Sequence, residues 1–592
     1  MIDPKMAYGA RAAMEPVEFR LEYSLGEGPL TNDGASTSDC MKVPATQSCS
    51  TCVLKEPLGG NLGAFEESFE LVFDDSRDAG DEAAADAVGT AAGCVYVAFD
   101  GEVLSVRIEP MRELRLHSLR VELRHAFASD ELVLLNGYQS WTRTAELSAW
   151  SRMGGKQGKP KPLTRRPAHD EDGDYGLVSY APRRGRMHGF SYATFRRGDG
   201  MVLVGSLDET HGFTLIRTDA RAGSVSLEME CPLRPLSQGE VVELARYAIT
   251  RGSMGACYDR WFELAGIRTH RVRPIAGYTS WYRHYDAIDE EKLMSDLDGT
   301  TRALSQLGGY ALDGVLKVFQ IDGGYCPVGD WLDVDASRFP RGLAALAHRI
   351  RDAGFVPGLW IAPFVCEQNS RLFRERPEWL LRDDRGDLVM AGSHWGGGYV
   401  LDTRDTEVRS YVLYVLQTIT REWGFSLLKA DILHGACMVA HAGLNRGELM
   451  SDAIELLRKG AGEQTLIIGS GVPLASAFGK LDYCRIGCSV CLDWNGGKHA
   501  RLSRRDRASA RCSLSNTYAR APLDGRAFGN DPDVFYLRPD VRLSDGQRFE
   551  RLMAYADLGH VLLTSDDMDM WTPPMRERYA HALEALAARC KA

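Results

Sequence analysis

The sequence predicts a multidomain protein of mixed class, α/β plus all-β. A (β/α)8 TIM barrel over residues 274–592 follows an N-terminal β-sandwich domain with flexible insertions over residues 1–273. Three observations predict this. A chain of 592 residues exceeds what one hydrophobic core serves. Up to residue 273, short alternating apolar–polar runs recur between turn residues, the pattern of a sandwich. From Pro274 onward, apolar β-runs alternate with helical patterns, as in repeated βα units closing a parallel barrel.

In the first region the runs are Val17–Tyr23, Val95–Phe99, Leu104–Ile108, Leu119–Leu123, Gly200–Gly205 and Ser224–Met229. Asp74–Gly93 is acidic, Ala-rich and without a strand pattern, and Gly154–Asp174 is basic then acidic; both are expected to be insertions or loops. Asn136-Gly-Tyr-Gln-Ser-Trp141 sets an aromatic cluster on a turn, which suits either core packing or an arm reaching a neighbouring site.

The second region holds Ile275–Trp281, Val315–Asp322, Val356–Pro363, Ser426–Asp431, Thr465–Gly471, Tyr483–Gly487, Arg526–Asp531 and Val561–Asp566. Those eight runs are the number a closed barrel needs. Between the second and third, Leu343, Leu346, Ala347 and Ile350 fall at helical spacing, with Pro340 near the start and Gly354 past the end. Met575–Leu586 reads as the closing helix, so no C-terminal domain is expected.

Composition narrows the function. Hydrophobic residues make up 44% and charged residues 26%, ordinary for a globular enzyme. The formal charge is 70 − 81 = −11 with no basic block, which argues against nucleic acid and anionic membrane as partners. The start lacks the basic-then-apolar pattern of a signal peptide and no long uncharged apolar run follows, so the cytoplasm is expected. The 14 cysteines are mostly scattered singly. Cys49 and Cys52, with Cys40 nearby, read as free thiols in a loop rather than a redox pair or half a zinc site. Cys484, Cys488 and Cys491 have the spacing of an iron–sulfur motif, but the first falls inside a strand, which argues against a cluster.

Chemistry concentrates where the barrel strands end. Gly424-Phe-Ser-Leu-Leu-Lys-Ala-Asp431 is a buried strand finishing in two charged residues on one face. A carboxylate beside an ammonium is favoured in its charged form, which suits a nucleophile; a structural salt bridge is the alternative. The other strands end in Trp281, Asp322, Trp360, Ser470, Arg485, Asn530-Asp531 and Ser565-Asp566. Carboxylates accept hydrogen bonds from hydroxyls and indoles stack on pyranose C–H faces, so the rim fits a neutral, hydroxyl-rich ligand. Two carboxylates about 5 Å apart across a glycosidic bond would give retaining hydrolysis.

These segments together resemble a known family, the melibiase-type α-galactosidases, glycoside hydrolase family thirty-six of clan D. The similarity is carried by Gly277-Tyr-Thr-Ser-Trp281, Val318-Phe-Gln-Ile-Asp322, Gly329-Asp-Trp-Leu332, Gly358-Leu-Trp-Ile-Ala-Pro-Phe364 and Leu428-Lys-Ala-Asp431. It continues through Gly469-Ser-Gly-Val-Pro473, Arg485-Ile-Gly487, Asn530-Asp-Pro-Asp533 and Ser565-Asp-Asp567, and Asn136–Trp141 resembles the family's N-terminal arm. The resemblance implies that Asp431 is the nucleophile and that Lys429 holds sugar hydroxyls and keeps Asp431 ionised. It also implies that Asp322 binds distal hydroxyls, that Trp141, Trp281 and Trp360 wall the pocket, and that Arg485 contacts substrate or carboxylates behind it. The implied substrate is an α-galactoside or oligosaccharide, with no metal or cofactor; the family often forms homo-oligomers.

Three departures stand out. Ser489 occupies the family's acid/base position, and a serine cannot protonate a leaving alkoxide near neutral pH. Asp493, four residues on in the same loop, is the candidate substitute if that loop turns back over the mouth, a surface or supporting Asp being the alternative; Glu367 is a weaker candidate and Asp482 is expected to face the wrong end. Gly323 follows Asp322 where the family commonly has a second acid, and the family's C-terminal sandwich is missing. The expectation is a retaining α-galactosidase-like enzyme with an altered acid, and the rival is a barrel that binds sugar without efficient turnover.

Overall fold

The structure is a computed structural model and describes residues 14–25, 50–55, 65–73, 90–153, 178, 183–268, 272–307, 312–392, 397–495 and 508–591. Two antiparallel sheets form the N-terminal part. One has six strands, in the spatial order Ser50–Lys55, Glu15–Leu25, Leu114–Arg124, Ser224–Met229, Thr214–Asp219 and Arg186–Phe190. The other has eight and includes Thr90–Phe99, Val103–Pro110, Val242–Gly252, Gly200–Ser206 and Tyr192–Arg197. Alternate residues of Val103–Pro110 and Leu114–Arg124 point inward, and Val106, Ile108, Val121, Leu123, Val204 and Leu227 meet in one core between the sheets. The six runs read from the sequence all lie in these strands. Cys52 sits in a strand opposite Leu21 rather than in a loop; Cys40, Cys49 and residues 154–174 lie outside the described residues, as does 74–89 of the expected insertion, while 90–93 begin a strand.

Strand Gly200–Ser206 is buried at every position instead of alternately. The reason is a second layer: helix Met254–Leu264 lies on the outer face of that sheet, and its Trp261 packs against Tyr192 at 5.0 Å and against Phe478 of the barrel at 5.7 Å. One apolar core thus runs from sandwich to barrel.

Barrel strands Ile275–Thr279, Leu316–Ile321, Val356–Ile361, Leu427–Ala430, Leu466–Gly469 and Tyr483–Arg485 pair in parallel in that order. The seventh strand is split. Gly529–Asp531 pairs with the sixth, and Val534–Phe535 pairs with the eighth, Val561–Thr564, which returns to the first. Pro532 lies at the break, where a missing N–H costs no ladder bond. The helix between the second and third strands spans Gly342–Asp352 with Leu343, Leu346, Ala347 and Ile350 buried. After the fifth strand the helix is a single turn, Leu474–Ala477, and Phe478 there packs on Trp261 and Phe262, so the sandwich covers the barrel wall that a full helix would cover. Among the described residues no helix is long and apolar enough to cross a membrane.

Arg520 ties the two parts together. It is fully buried at the end of helix Ala510–Arg520. Its guanidinium donates to Asn136 Oδ1 at 3.0 and 3.1 Å, to the Ser140 carbonyl at 2.6 Å, to the Gln139 carbonyl at 3.3 Å and to the Ile486 carbonyl at 2.9 Å. No carboxylate is among these partners, and burial pushes its pKa down to about 10. A buried charge of this kind persists because its fork is saturated with acceptors. Arg520→Leu should therefore cost about 3–5 kcal/mol of stability by leaving buried acceptors unpaired. Urea unfolding checks this; a loss under 1 kcal/mol would show the arm held by other contacts.

Candidate active site

The lateral pairing of barrel strands decides which side chains meet. Leu427, Ile468 and Tyr483 lie in the barrel's interior core, so Lys429 and Asp431, Ser470, and Arg485 also face inward by alternation. Ala430 pairs with Gly469, Gly469 with Cys484, and Cys484 with Asn530. One residue further on, Asp431, Ser470, Arg485 and Asp531 therefore form one layer at the carboxyl-terminal rim. Lys429 pairs with Trp360, which places those two with Asp322 one layer deeper.

Asp431 sits in a cradle of donors. Trp360 Nε1 donates to Oδ2 at 3.0 Å, the Ile432 amide donates to Oδ1 at 3.0 Å, and Ser470 adds a third hydrogen bond. Ile432 has φ +54°, a left-handed conformation uncommon for a β-branched residue, and the turn aims its own N–H at the carboxylate. Burial alone would raise the Asp431 carboxyl, but the Lys429 ammonium, these hydrogen bonds and Arg485 together hold it below the usual carboxylate range.

Lys429 makes its direct ion pair elsewhere: Nζ lies 3.0 Å from Asp322 Oδ2 and acts on Asp431 through space. The Lys-x-Asp pair is thus not a salt bridge within its own strand. Burial would lower the lysine, but Asp322 and Asp431 outweigh it and its pKa is raised. Asp322 also accepts from Gln320 Nε2 and the Gly323 amide, both at 2.9 Å. A Cβ at Gly323 would lie 3.2 Å from the Trp360 ring, so the indole crowds the place where a second acid would begin.

The arm reaches the site. Trp141 Nε1 donates to Ser470 Oγ at 3.0 Å, so Ser470 links the indole to Asp431. The Ser140 amide donates to the Val472 carbonyl at 2.9 Å, and Gly471, with φ +61°, leaves room for Trp141 that a Cβ 2.9 Å from its ring would fill. Core packing, the plainer reading of Asn136–Trp141, accounts for Tyr138, which is buried against Phe190 and Phe213.

Arg485 forms a buried ion pair with Asp533, which also accepts from Tyr282 OH at 2.6 Å and from the Val490 amide at 2.8 Å. Asp533 has φ +82°. Asp531 is almost fully buried, and burial raises its carboxyl pKa despite Arg485. The sequence places Asp531 at a strand end on the rim and both Asp531 and Asp533 in the Asn530-Asp-Pro-Asp533 motif, but it assigns neither a role; the break at Pro532 that brings both acids to Arg485 shows only in the structure.

The remaining candidates lie apart from this network. Trp281 is half-buried at the start of helix Trp281–His284, its ring 5.5 Å from Tyr285. Ser489 is exposed between buried Cys488 and Val490. Asp493 is partly exposed; it accepts from the Asn495 amide at 2.9 Å and faces Arg542 at 3.8 Å. Glu367 ends the small strand Val365–Glu367 and burial raises its pKa. Asp482 pairs with Arg458 at 2.8 Å and accepts from the Ile467 amide, at the barrel's amino-terminal side. Among the described residues no group of three or more His, Cys, Asp or Glu is arranged to hold a metal ion. Two cavities lie away from the rim, one of about 220 Å³ beside Arg273 and Cys590, the other of about 500 Å³ beside Arg120 and Arg217.

Comparison with known proteins places this geometry. The melibiase family model matches residues 272–450. The α-galactosidase AgaA of Geobacillus stearothermophilus is 25% identical over 175 residues, 28% of this chain and 22% of that protein. The mouse myogenesis-regulating glycosidase is 27% identical over 157 residues, 26% of this chain and 20% of that protein. These matches span less than a quarter of each relative's length. The structure of TtGalA, an α-galactosidase from Thermus thermophilus in complex with stachyose, superposes with a TM-score of 0.63 at 25% identity, covering 83% of this chain and 97% of that one.

The charge balance around Lys429 is testable. A carboxyl held below its usual range stabilises the fold above about pH 4, and that contribution is lost as pH falls through the folded pKa. Lys429→Met should cost about 3–5 kcal/mol near pH 7 by leaving Asp322 and Asp431 buried without their cation, and distinctly less near pH 4, because without the ammonium burial drives Asp431 toward its neutral form. Unfolding at the two pH values checks it; equal losses would contradict the assignment.

Proposed function

Starting from a chain that carries a melibiase domain and belongs with the melibiase-type α-galactosidases, we propose that it is a retaining glycosidase acting on terminal α-galactosides. The observation that carries this reading is the Asp431 cradle. Three donors and two nearby cations keep an anion at the barrel rim, where it needs no reorganisation to react. Asp431 attacks the anomeric carbon, the bond to the leaving oxygen breaks, and a galactosyl–Asp431 ester forms. The same charge stabilises the oxocarbenium-like transition state that precedes it. Water then opens the ester and returns galactose with its anomeric configuration retained.

Lys429 and Asp322 supply a donor and acceptors for the distal hydroxyls, and their ion pair fixes both side chains before sugar arrives. Trp360, Trp281 and Trp141 offer indole faces for the ring's C–H side. The Trp360 ring close to Gly323 removes one carboxylate contact and leaves apolar surface, which favours a sugar bulkier or less hydroxylated at that edge. The exposed Ser489 favours a second reading, a sugar-binding barrel of low turnover; galactose would then raise the melting temperature while melibiose stays intact.

Aryl α-galactosides should be cleaved by wild type with α-galactose as the first-formed product by proton NMR. Asp431→Asn should lose at least about 1,000-fold while keeping its melting temperature within a few degrees. First-formed β-galactose, or an active Asp431→Asn, would rule the proposal out.

A further inference from the structure

Resting on that reading, we propose that Asp531 is the general acid/base of the reaction, supplied by the seventh strand rather than by the loop that carries Ser489 and Asp493. The strand register puts Asp531 in the same rim layer as Asp431, facing inward, three strands around the barrel. A retaining mechanism needs its two carboxyl groups on opposite sides of the bond that breaks, and positions on the fourth and seventh strands of eight stand nearly across the mouth. The alternatives are placed otherwise. Ser489 carries no acidic proton, and Asp493 is engaged by the Asn495 amide and Arg542.

Asp531 is surrounded as a proton carrier requires. The charged groups facing it are Arg485 on the sixth strand, Lys429 on the fourth and Asp533 on its own run. Asp533 is committed to Arg485, Tyr282 and the Val490 amide, whereas Asp531 accepts at Oδ1 from the Asp533 amide at 2.9 Å, which leaves Oδ2 to a ligand. The environments push the two rim carboxyls apart: donors and Lys429 hold Asp431 low, while burial raises Asp531. In the first step the Asp531 proton passes to the leaving oxygen as C1 bonds to Asp431. In the second, the Asp531 carboxylate takes a proton from water as the water oxygen bonds to C1 and the ester to Asp431 breaks. Protons and electrons balance over the two steps with water as the sole co-reactant.

The test compares kcat/KM for melibiose and for dinitrophenyl α-galactoside, whose leaving group needs no proton, in wild type, Asp531→Ala, Asp531→Asn, Asp493→Asn and Asp431→Ala. Asp531→Ala and Asp531→Asn should lose about 100- to 10,000-fold on melibiose and under about 10-fold on the aryl substrate. Azide should raise kcat of Asp531→Ala on the aryl substrate and give α-galactosyl azide, because azide opens the ester without needing a base. Asp431→Ala with azide should give the β-azide instead, since one face is attacked directly. Equal losses on both substrates for Asp531→Ala, no azide rescue, or a leaving-group-dependent loss in Asp493→Asn would each overturn the assignment while the glycosidase reading stands. A wild type inert on both substrates would remove that reading and this assignment with it.

Discussion

Parallel pairing in a closed barrel fixes which side chains share a level, and everything at this rim follows from that constraint. Residues facing each other across strand pairs point to the same side of the sheet. Once Ala430, Gly469, Cys484 and Asn530 are in register, the next residues of four strands must converge on the interior. A one-residue slip of the sixth strand would turn Arg485 outward and Cys484 inward, exchanging a cation for a thiol. The apolar floor of Leu427, Ile468, Tyr483, Val534 and Leu563 specifies the register, because any slip would also expose that floor to the helices' side.

The rim is electrostatically unsymmetrical. Asp322, Asp431, Asp531 and Asp533 face two cations, Lys429 and Arg485, and each cation is directly paired with one acid, Asp322 and Asp533. The two unpaired carboxyls then differ by their hydrogen bonds. Asp431 collects three donors and stays charged; Asp531 has fewer and is driven toward its neutral form by burial. A site with more acids than cations thereby sets two carboxyls in opposite surroundings, one favouring the charged form and the other the neutral form.

Much of this was legible in the sequence. All eight barrel runs coincide with strands, though the runs extend one or two residues past strands that stop at Thr279, Ile321, Ile361, Ala430, Gly469 and Arg485. The overrun is physical: the functional side chains sit just beyond the last ladder bond, where the backbone is released to turn, as the left-handed Ile432 shows. Pairings between distant segments were not legible. Lys429 meets Asp322 across 107 positions and Trp141 meets Ser470 across 329, and no local pattern encodes either. The sandwich strand Arg186–Phe190 is five residues long and pairs with Thr214–Asp219 across two intervening strands, a pairing that no local pattern encodes. Nor does any local pattern encode that the Asp493 carboxylate faces Arg542 at 3.8 Å.

Arg520 carries a consequence for anyone recombining this fold. Four of its five contacts are to oxygens of Asn136, Gln139 and Ser140, and one is to the barrel's own Ile486. A barrel cut free of its amino-terminal half would lose four of those five contacts and bare Phe478, which Trp261 and Phe262 cover, so excision at residue 274 should yield an insoluble fragment. Chimaeras that graft a foreign sandwich onto this barrel must carry the Asn136–Trp141 turn with them, and with it the indole that donates to Ser470.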